Sequence, residues 1–445
     1  MTEPSMKEGA EAGQSGAVRL SALGRRAERP TIARLMNLAL ERRDVLSLAA
    51  GFTDSATLPM KEVREAVDLL ASGLVGAEWL QYGMNQGRPE LRQLLARRLA
   101  KGEPEIGAIG EMASRILVTN GSQQALYLAV QVLCDPGDIV LVDRPSYFVF
   151  LEMLSGLGVE ARSIPTDGAG RIDQAALEGV LDRMALRGEM SRLKAVYFVS
   201  YFSNPSSRSL AEKEKNELAA ALRGRGCLPA VIEDAAYREL YFESPHGARS
   251  VLTLPAWEDF PRLYLSTMTK SFATGMKLGF GYCTDALWLE KMLAVKGHHD
   301  FGTSNMAQAV AERVISNGTF DRHLSKMRTV YRRKMEALDE ALETQGLRGL
   351  GWKWVRPKGG LYLWLRGPGG LATGLDSAFC RACLDHGVIY VPGELCFGDD
   401  APVDDVRLSF GVLGEAELAE AARRFVSAAR SMGAPGAGGG QATIG

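Results

Sequence analysis

The stretch LYLSTMTKSFATGMKLGFGY, residues 263–282, sets a lysine, Lys270, among apolar and hydroxyl residues. Arg262 is the one charge in the eight residues before it, and no charge separates it from Lys277. Such neighbours solvate an ammonium poorly, so desolvation favours the neutral amine. A neutral amine attacks carbonyls and can form a Schiff base. The plainer alternative is a strand-end lysine snorkelling to water. Other stretches carry complementary chemistry. In VTNGSQQALYL, Gly121 turns the chain and Ser122 and Gln123 open a helix. Free N–H groups and hydroxyls at a helix N-terminus bind phosphate, although an ordinary N-cap at Asn120 or Ser122 accounts for the same residues. In VIEDAAYREL, Glu233 and Asp234 directly follow a buried strand. An acid there must be paired, and a protonated ring nitrogen would pair it. Asn204 precedes a proline in YFSNPSSRSL, and Tyr147 opens a helix in DRPSYFVF, each beyond a strand. A turn asparagine and a core tyrosine are their structural alternatives. Together these residues place a phosphate cradle, a planar stacker, an acid, polar donors and a Schiff-base lysine at the carboxyl ends of one sheet.

The elements that must position them follow from periodicity. From about 113 to 282, short apolar runs (RILVTN, IVLVD, VEARSIP, KAVYFVS, PAVIEDAA, RLYLSTM) alternate with helical segments. Continuous apolar strands alternating with helices predict an α/β domain with a mainly parallel sheet covered on both faces. Function is expected at the carboxyl ends of its strands. The amphipathic FDRHLSKMRTVYRRKMEALDEALETQ predicts a long helix spanning two lobes. The remaining segments, GWKWV to EAELAEAARRFVSAAR, read as a smaller α+β domain that the N-terminal part joins. An N-terminal helix is expected on the face formed by Ile32, Leu35, Met36, Leu38 and Ala39. The expected division is a small domain of residues 19–60 and 326–432, a large cofactor-binding domain of residues 61–325, and disordered ends at 1–18 and 433–445.

Composition bounds the partners. Lysine plus arginine is 52 and aspartate plus glutamate is 53 in 445 residues, a net charge of −1. That balance gives no electrostatic case for nucleic acid or an anionic membrane. No apolar run approaches the roughly twenty residues of a membrane helix, and MTEPSMKEGAEAGQSG lacks an apolar signal core. A cytoplasmic enzyme is the expectation. The six cysteines are scattered, as in a reducing compartment. Cys380 and Cys383 form a C-x-x-C whose apolar surroundings recur at helical spacing, which predicts packing rather than redox or metal chemistry. His298 and His299 read as a loop pair rather than ligands. No metal site is expected.

The motifs LSLAAG, YGMNQGRPELRQLLA, GSQQALYL, DPGDIVLVDRPSY, SNPSS, EDAAY, STMTKSFATGMKLG, PKGGLYLWL, VIYVPG and VRLSFG occur in this order. With them the chain, from about residue 30 to 430, resembles the fold-type I, class I/II aminotransferases that use pyridoxal 5′-phosphate, and within them the kynurenine/2-aminoadipate and aromatic group. The resemblance implies that Lys270 carries the Schiff base and moves a proton. It implies that Asp234 faces the pyridine nitrogen, that Tyr147 stacks on the ring, and that Asn204 and Tyr237 hydrogen-bond its phenolic oxygen. Gly121, Ser122, Gln123, Thr267 and Thr269 would hold the phosphate. Tyr82 would reach the phosphate of a neighbouring subunit, making a homodimer with shared sites. Arg407 would grip the substrate α-carboxylate, near Asn204 and Gly51. A planar guanidinium suits a carboxylate through two parallel hydrogen bonds, and a structural ion pair is the alternative for an arginine in an apolar strand.

The implied reaction is transfer of the amino group of an L-2-amino acid (aromatic, long aliphatic or 2-aminoadipate-like) to a 2-oxo acid such as 2-oxoglutarate, by a ping-pong mechanism. Three departures bear on it. Lys277 stands where the family usually has arginine, Ser207 ends NPSS in place of NPTG, and Thr53 ends GFT in place of Gly-x-Pro. Two rival readings remain: another pyridoxal-phosphate reaction on the same fold (lyase, decarboxylase or cyclising enzyme), and the effector domain of a regulator. About thirty residues precede the fold, without a helix-turn-helix pattern or basic patch, which disfavours the second.

Overall fold

The computed structural model describes residues 18–31, 44–74 and 76–432. The expected helix over 32–39 and the expected disordered ends, residue 18 apart, lie outside those residues. Among the described residues thirteen strands form three sheets. β2 (Ile116–Asn120), β3 (Ile139–Val142), β4 (Glu160–Ser163), β5 (Leu193–Val199), β6 (Ala230–Asp234), β7 (Arg262–Thr267) and β8 (Leu278–Cys283) build a seven-stranded sheet in the order β2-β8-β7-β6-β5-β3-β4. All its pairings are parallel except those of β8, which runs antiparallel to β2 and β7. β2 therefore points the same way as β7. The carboxyl ends of β2, β7, β6, β5 and β3 share one edge, where β8 begins.

Alternation along each strand explains why the sheet is buried twice over. Val140, Val142, Ala195, Tyr197, Val199 and Ile232 join the larger core, whereas Ile139, Leu141, Val196, Phe198 and Val231 join a second core on the opposite face. The same alternation separates the two acids expected just beyond β6, which are instead its last two residues. Asp234 lies on the Tyr197 face. Glu233 lies opposite, with the buried Lys215 Nζ at 2.9 Å and the Ser200 and Ser250 hydroxyls donating to it.

A four-stranded antiparallel sheet, β12-β13-β10-β9, uses β9 (Lys353–Trp354), β10 (Tyr362–Arg366), β12 (Val391–Pro392) and β13 (Asp405–Ser409). A parallel pair joins β1 (Leu46–Ser47) to β11 (Val388–Ile389), which ties the N-terminal part to the smaller domain as expected. The long helix expected from FDRHLSKM onward spans Thr319–Thr344 and packs on the Glu415–Met432 helix. Cys380 and Cys383 are buried on the Ala378–Asp385 helix. His298 and His299, expected in a loop, form the last turn of the Ala286–His299 helix, where the helix dipole favours basic side chains, and His299 stacks on Tyr127. No helix among the described residues is long and apolar enough to cross a membrane.

Candidate active site

The strand ends converge on Lys270. β7 stops at Thr267, and the chain turns through Lys270 and Lys277 before β8 starts at Leu278. Lys277 takes a left-handed backbone conformation, φ +50°, at this reversal. Lys270 Nζ donates to the Gly51 carbonyl at 2.5 Å. Burial, reinforced by the nearby Arg407 and Lys277 charges against the opposing influence of Tyr362, depresses its pKa. The amine is thus held toward its neutral, nucleophilic form, as the sequence predicts.

Gly121 begins the helix Gly121–Leu133 immediately after β2, at φ +69°. That helix start lies hard against β8: a Cβ on Gly279 would come within 2.5 Å of the Ser122 nitrogen. Glycine at 279 permits this approach. Asn120 makes no side-chain cap, so the first-turn N–H groups keep free donors. Thr269 Oγ1 lies 3.9 Å from where a Gly121 Cβ would sit, and the Thr267 and Thr269 hydroxyls are 2.9 Å apart. Gln123 Oε1 lies 3.4 Å from the hydroxyl of Tyr147, the residue that immediately precedes the Phe148–Leu157 helix. The Thr267 and Thr269 hydroxyls thus lie close to the uncapped helix start at Gly121 and Ser122, a set of O–H and N–H donors suited to an anion.

Asp234 ends β6, in register with Leu265 of β7. The Tyr197 hydroxyl donates to its Oδ2 at 3.2 Å and the Ala236 N–H to its Oδ1 at 2.9 Å. Burial raises its pKa to about 6, because among the described residues no cation pairs it. A buried carboxylate in this state fits a cationic partner such as a protonated ring nitrogen. A second acid, Asp143, follows β3 and accepts from Ser146 Oγ at 2.5 Å and the Val199 N–H at 3.0 Å. Burial, with Asp234 nearby, lifts its pKa to about 7.

Arg407 is the central residue of β13, paired in register with Trp364 and Val391. Val406 and Leu408 on either side enter the core, so Arg407 faces the other way. It is 1 % exposed. Its guanidinium donates to Asn204 Oδ1 at 2.8 Å and to the Ala49 carbonyl at 2.6 Å, while Nε has no hydrogen-bond partner among the described residues. It lies 4.3 Å from the Tyr362 ring centroid and 5.6 Å from that of Phe148. Among the described residues no carboxylate reaches it within ion-pair distance, so the structural ion pair weighed above is absent. A buried cation with neutral acceptors and an unused N–H fits an incoming carboxylate. Tyr237 and Tyr362 hydroxyls lie 3.2 Å apart beside it.

Most of the residues singled out in the sequence thus come together. Tyr82 does not: it is 87 % exposed and meets Phe301 edge-on, with no described contact to the Lys270 cluster of its own chain. Sequence reasoning missed Tyr362, Tyr197, Asp143 and the Ala49 carbonyl. Tyr362 lay inside a quoted motif, PKGGLYLWL, but only the β10–β13 register puts it beside Arg407. Ser207 adopts φ +52° and donates to the Tyr362 carbonyl at 2.7 Å, so the serine replaces the usual glycine without changing the turn's hand.

Comparison with known proteins agrees with this geometry. The family model for aminotransferase class I and II matches residues 43–425. The chain is 30 % identical over 387 residues to aromatic-amino-acid aminotransferase 1 of Thermococcus litoralis, covering 87 % of this chain and 88 % of that one. It is 30 % identical over 408 residues to the 2-aminoadipate transaminase of Thermus thermophilus, covering 92 % and 95 %. The crystal structure of Pyrococcus horikoshii kynurenine aminotransferase in complex with PMP superimposes with a TM-score of 0.81 at 27 % identity, over 94 % of this chain and 98 % of that one. The chain belongs to the class I and II aminotransferases, pyridoxal 5′-phosphate-dependent enzymes of fold type I.

Proposed function

We propose that this aminotransferase takes the amino group from an L-2-amino acid with an aromatic, long aliphatic or 2-aminoadipate-like side chain and delivers it to a 2-oxo acid such as 2-oxoglutarate. Pyridoxal 5′-phosphate supplies a carbonyl that takes up the amine and a ring that withdraws electrons. Gly121, Ser122, Gln123, Thr267, Thr269 and Lys277 would hold its phosphate. Asp234 would keep a negative charge against the ring nitrogen, and Tyr147 would stack on the ring. Tyr237 and the amide N–H₂ of Asn204, whose Oδ1 is committed to Arg407, would donate to the ring oxygen. Lys270 Nζ would accept the substrate's α-proton and later give a proton back. Arg407 clamps the α-carboxylate beside Gly51 and Asn204.

The buried Arg407 without an anion carries this reading, because it makes a carboxylate the missing partner. One clamp serves donor and acceptor in turn, which supports ping-pong kinetics. The aromatic walls at Tyr147, Phe148 and Tyr362, and the names of the relatives, support the donor class. A second copy of the chain would dock on the exposed apolar residues Leu74, Leu80, Tyr82, Met84, Phe301 and Met306, bringing Tyr82 to the partner's phosphate. In this reading residues 61–325 form the cofactor-binding domain, and 19–60 with 326–432 the domain that carries Arg407. An amino-acid panel against the purified holoenzyme, followed by loss of the bound cofactor's absorbance, tests it. Aromatic, leucine-like and 2-aminoadipate donors are expected to react first. Reaction with none of them, or with only small donors such as glycine and alanine, would overturn the donor class.

A further inference from the structure

Asp300 follows the Ala286–His299 helix and gathers donors from three directions. Its Oδ1 accepts from Lys296 Nζ and from the Gly302 N–H, each at 2.9 Å. Its Oδ2 accepts from Asn120 Nδ2 at 2.9 Å, Gln124 Nε2 at 2.8 Å and Lys296 Nζ at 3.1 Å. The Lys296 side chain is 0 % exposed, so its charge requires this carboxylate. Gln124 Oε1 in turn accepts the Asn120 N–H at 2.9 Å. The consequence lies at the helix start. Asn120 stands at the N-cap position, where asparagine ordinarily caps its own helix. Here its side chain is drawn to Asp300, so the first-turn N–H groups of Gly121, Ser122 and Gln123 stay uncapped. Asp300 also fastens the backbone around Phe301, which is exposed, sits at φ +52° and meets Tyr82 edge-on at 5.7 Å. A bulky residue in that left-handed conformation persists only where its surroundings impose it.

We propose that Asp300 is a positioning residue that keeps the Gly121–Leu133 helix start open for phosphate and couples it to the Phe301–Tyr82 pair. The inference rests on the phosphate-cradle reading above. Asp300→Asn keeps the size, places an amide N–H₂ against existing donors and leaves Lys296 unpaired. The apoprotein is titrated with pyridoxal 5′-phosphate and with pyridoxal, which lacks the phosphate. The variant is expected to bind the phosphorylated form on the order of tenfold more weakly, the scale of one lost charge-assisted hydrogen bond, with pyridoxal affinity unchanged. In the wild type, loading with pyridoxal 5′-phosphate should slow amide exchange at residues 300–304, and the variant should lose that response. If Asp300→Asn folds poorly, the double change Lys296→Met with Asp300→Leu removes both charges and is expected to show the same selective loss. Equal weakening toward both ligands, or weakening toward neither, overturns the inference. Lys277→Ala separates the two readings. If it lowers the preference for the phosphorylated ligand and Asp300→Asn does not, only the role of Asp300 fails; if neither lowers it, the cradle fails as well.

Discussion

Replacing Arg407 by methionine separates what this residue does for the fold from what it does for the substrate. In the free enzyme the guanidinium is buried among neutral groups. Removing it relieves a desolvation penalty of several kcal/mol. It also loses two hydrogen bonds from a charged donor, about 1.5–3 kcal/mol each, and a stacking interaction with Tyr362 of about 0.5–2 kcal/mol. These contributions oppose one another. Apoenzyme stability is therefore expected to shift by less than about 2 kcal/mol, read from urea midpoints at constant m. The substrate sees a larger change. Truncating one member of a buried charge pair costs about 2–5 kcal/mol, so kcat/KM for an amino acid should fall roughly 30- to 4000-fold. The primary amine with the same side chain but no carboxylate supplies the control, since it never uses the clamp. Its slow rate of cofactor conversion should be the same in both proteins. Equal losses for amino acid and amine would refute the reasoning, because Arg407 would then be acting on the cofactor or the fold.

Asp234→Asn should keep cofactor content near wild type while turnover falls by orders of magnitude; near-normal turnover would place the ring-nitrogen partner elsewhere. Because burial lifts Asp234 from 3.8 to about 6, its ionisation disfavours the folded apoenzyme. That penalty is absent below pH 3.8 and complete above about pH 6, so the asparagine apoenzyme should gain stability on wild type as pH rises through this window. Lys277→Ala should weaken pyridoxal 5′-phosphate binding and raise the pKa of Lys270, since it removes a cation that now depresses it; unchanged affinity would take Lys277 off the phosphate. A Tyr82→Phe chain mixed with a Lys270→Ala chain should recover one wild-type site per heterodimer, because the two defects then fall in the same site; no recovery after verified subunit exchange would mean that Tyr82 acts within its own chain.

Much of the site was legible because its chemistry is written at strand ends. Lys270, Asp234, Asn204 and Gly121 each follow an apolar run, and parallel strands bring such ends to one edge. The α/β class follows from the same runs. What was not legible depends on register or on pairing across distant segments. β8 runs antiparallel between β2 and β7, and LGFGYC alone does not reveal its direction. Tyr362 reaches Tyr237 only through the smaller sheet, and Tyr197 reaches Asp234 only because their strands are neighbours. The separation of Glu233 from Asp234 was implicit in the period of two, but assigning Lys215 to Glu233 required the helix Glu212–Arg223 to be placed. His298 and His299 were misread because polar pairs are common in loops as well as at helix ends.

The most direct test of transamination with Lys270 at its centre is a single half-reaction. The holoenzyme is mixed with an amino donor labelled with heavy nitrogen, without any 2-oxo acid, and the released cofactor and products are examined by mass spectrometry. The account predicts one pyridoxamine phosphate bearing the heavy nitrogen and one 2-oxo acid per active site, and no labelled cofactor from Lys270→Ala. Release of carbon dioxide or free ammonia with the cofactor unchanged would contradict it and assign the fold to a different reaction.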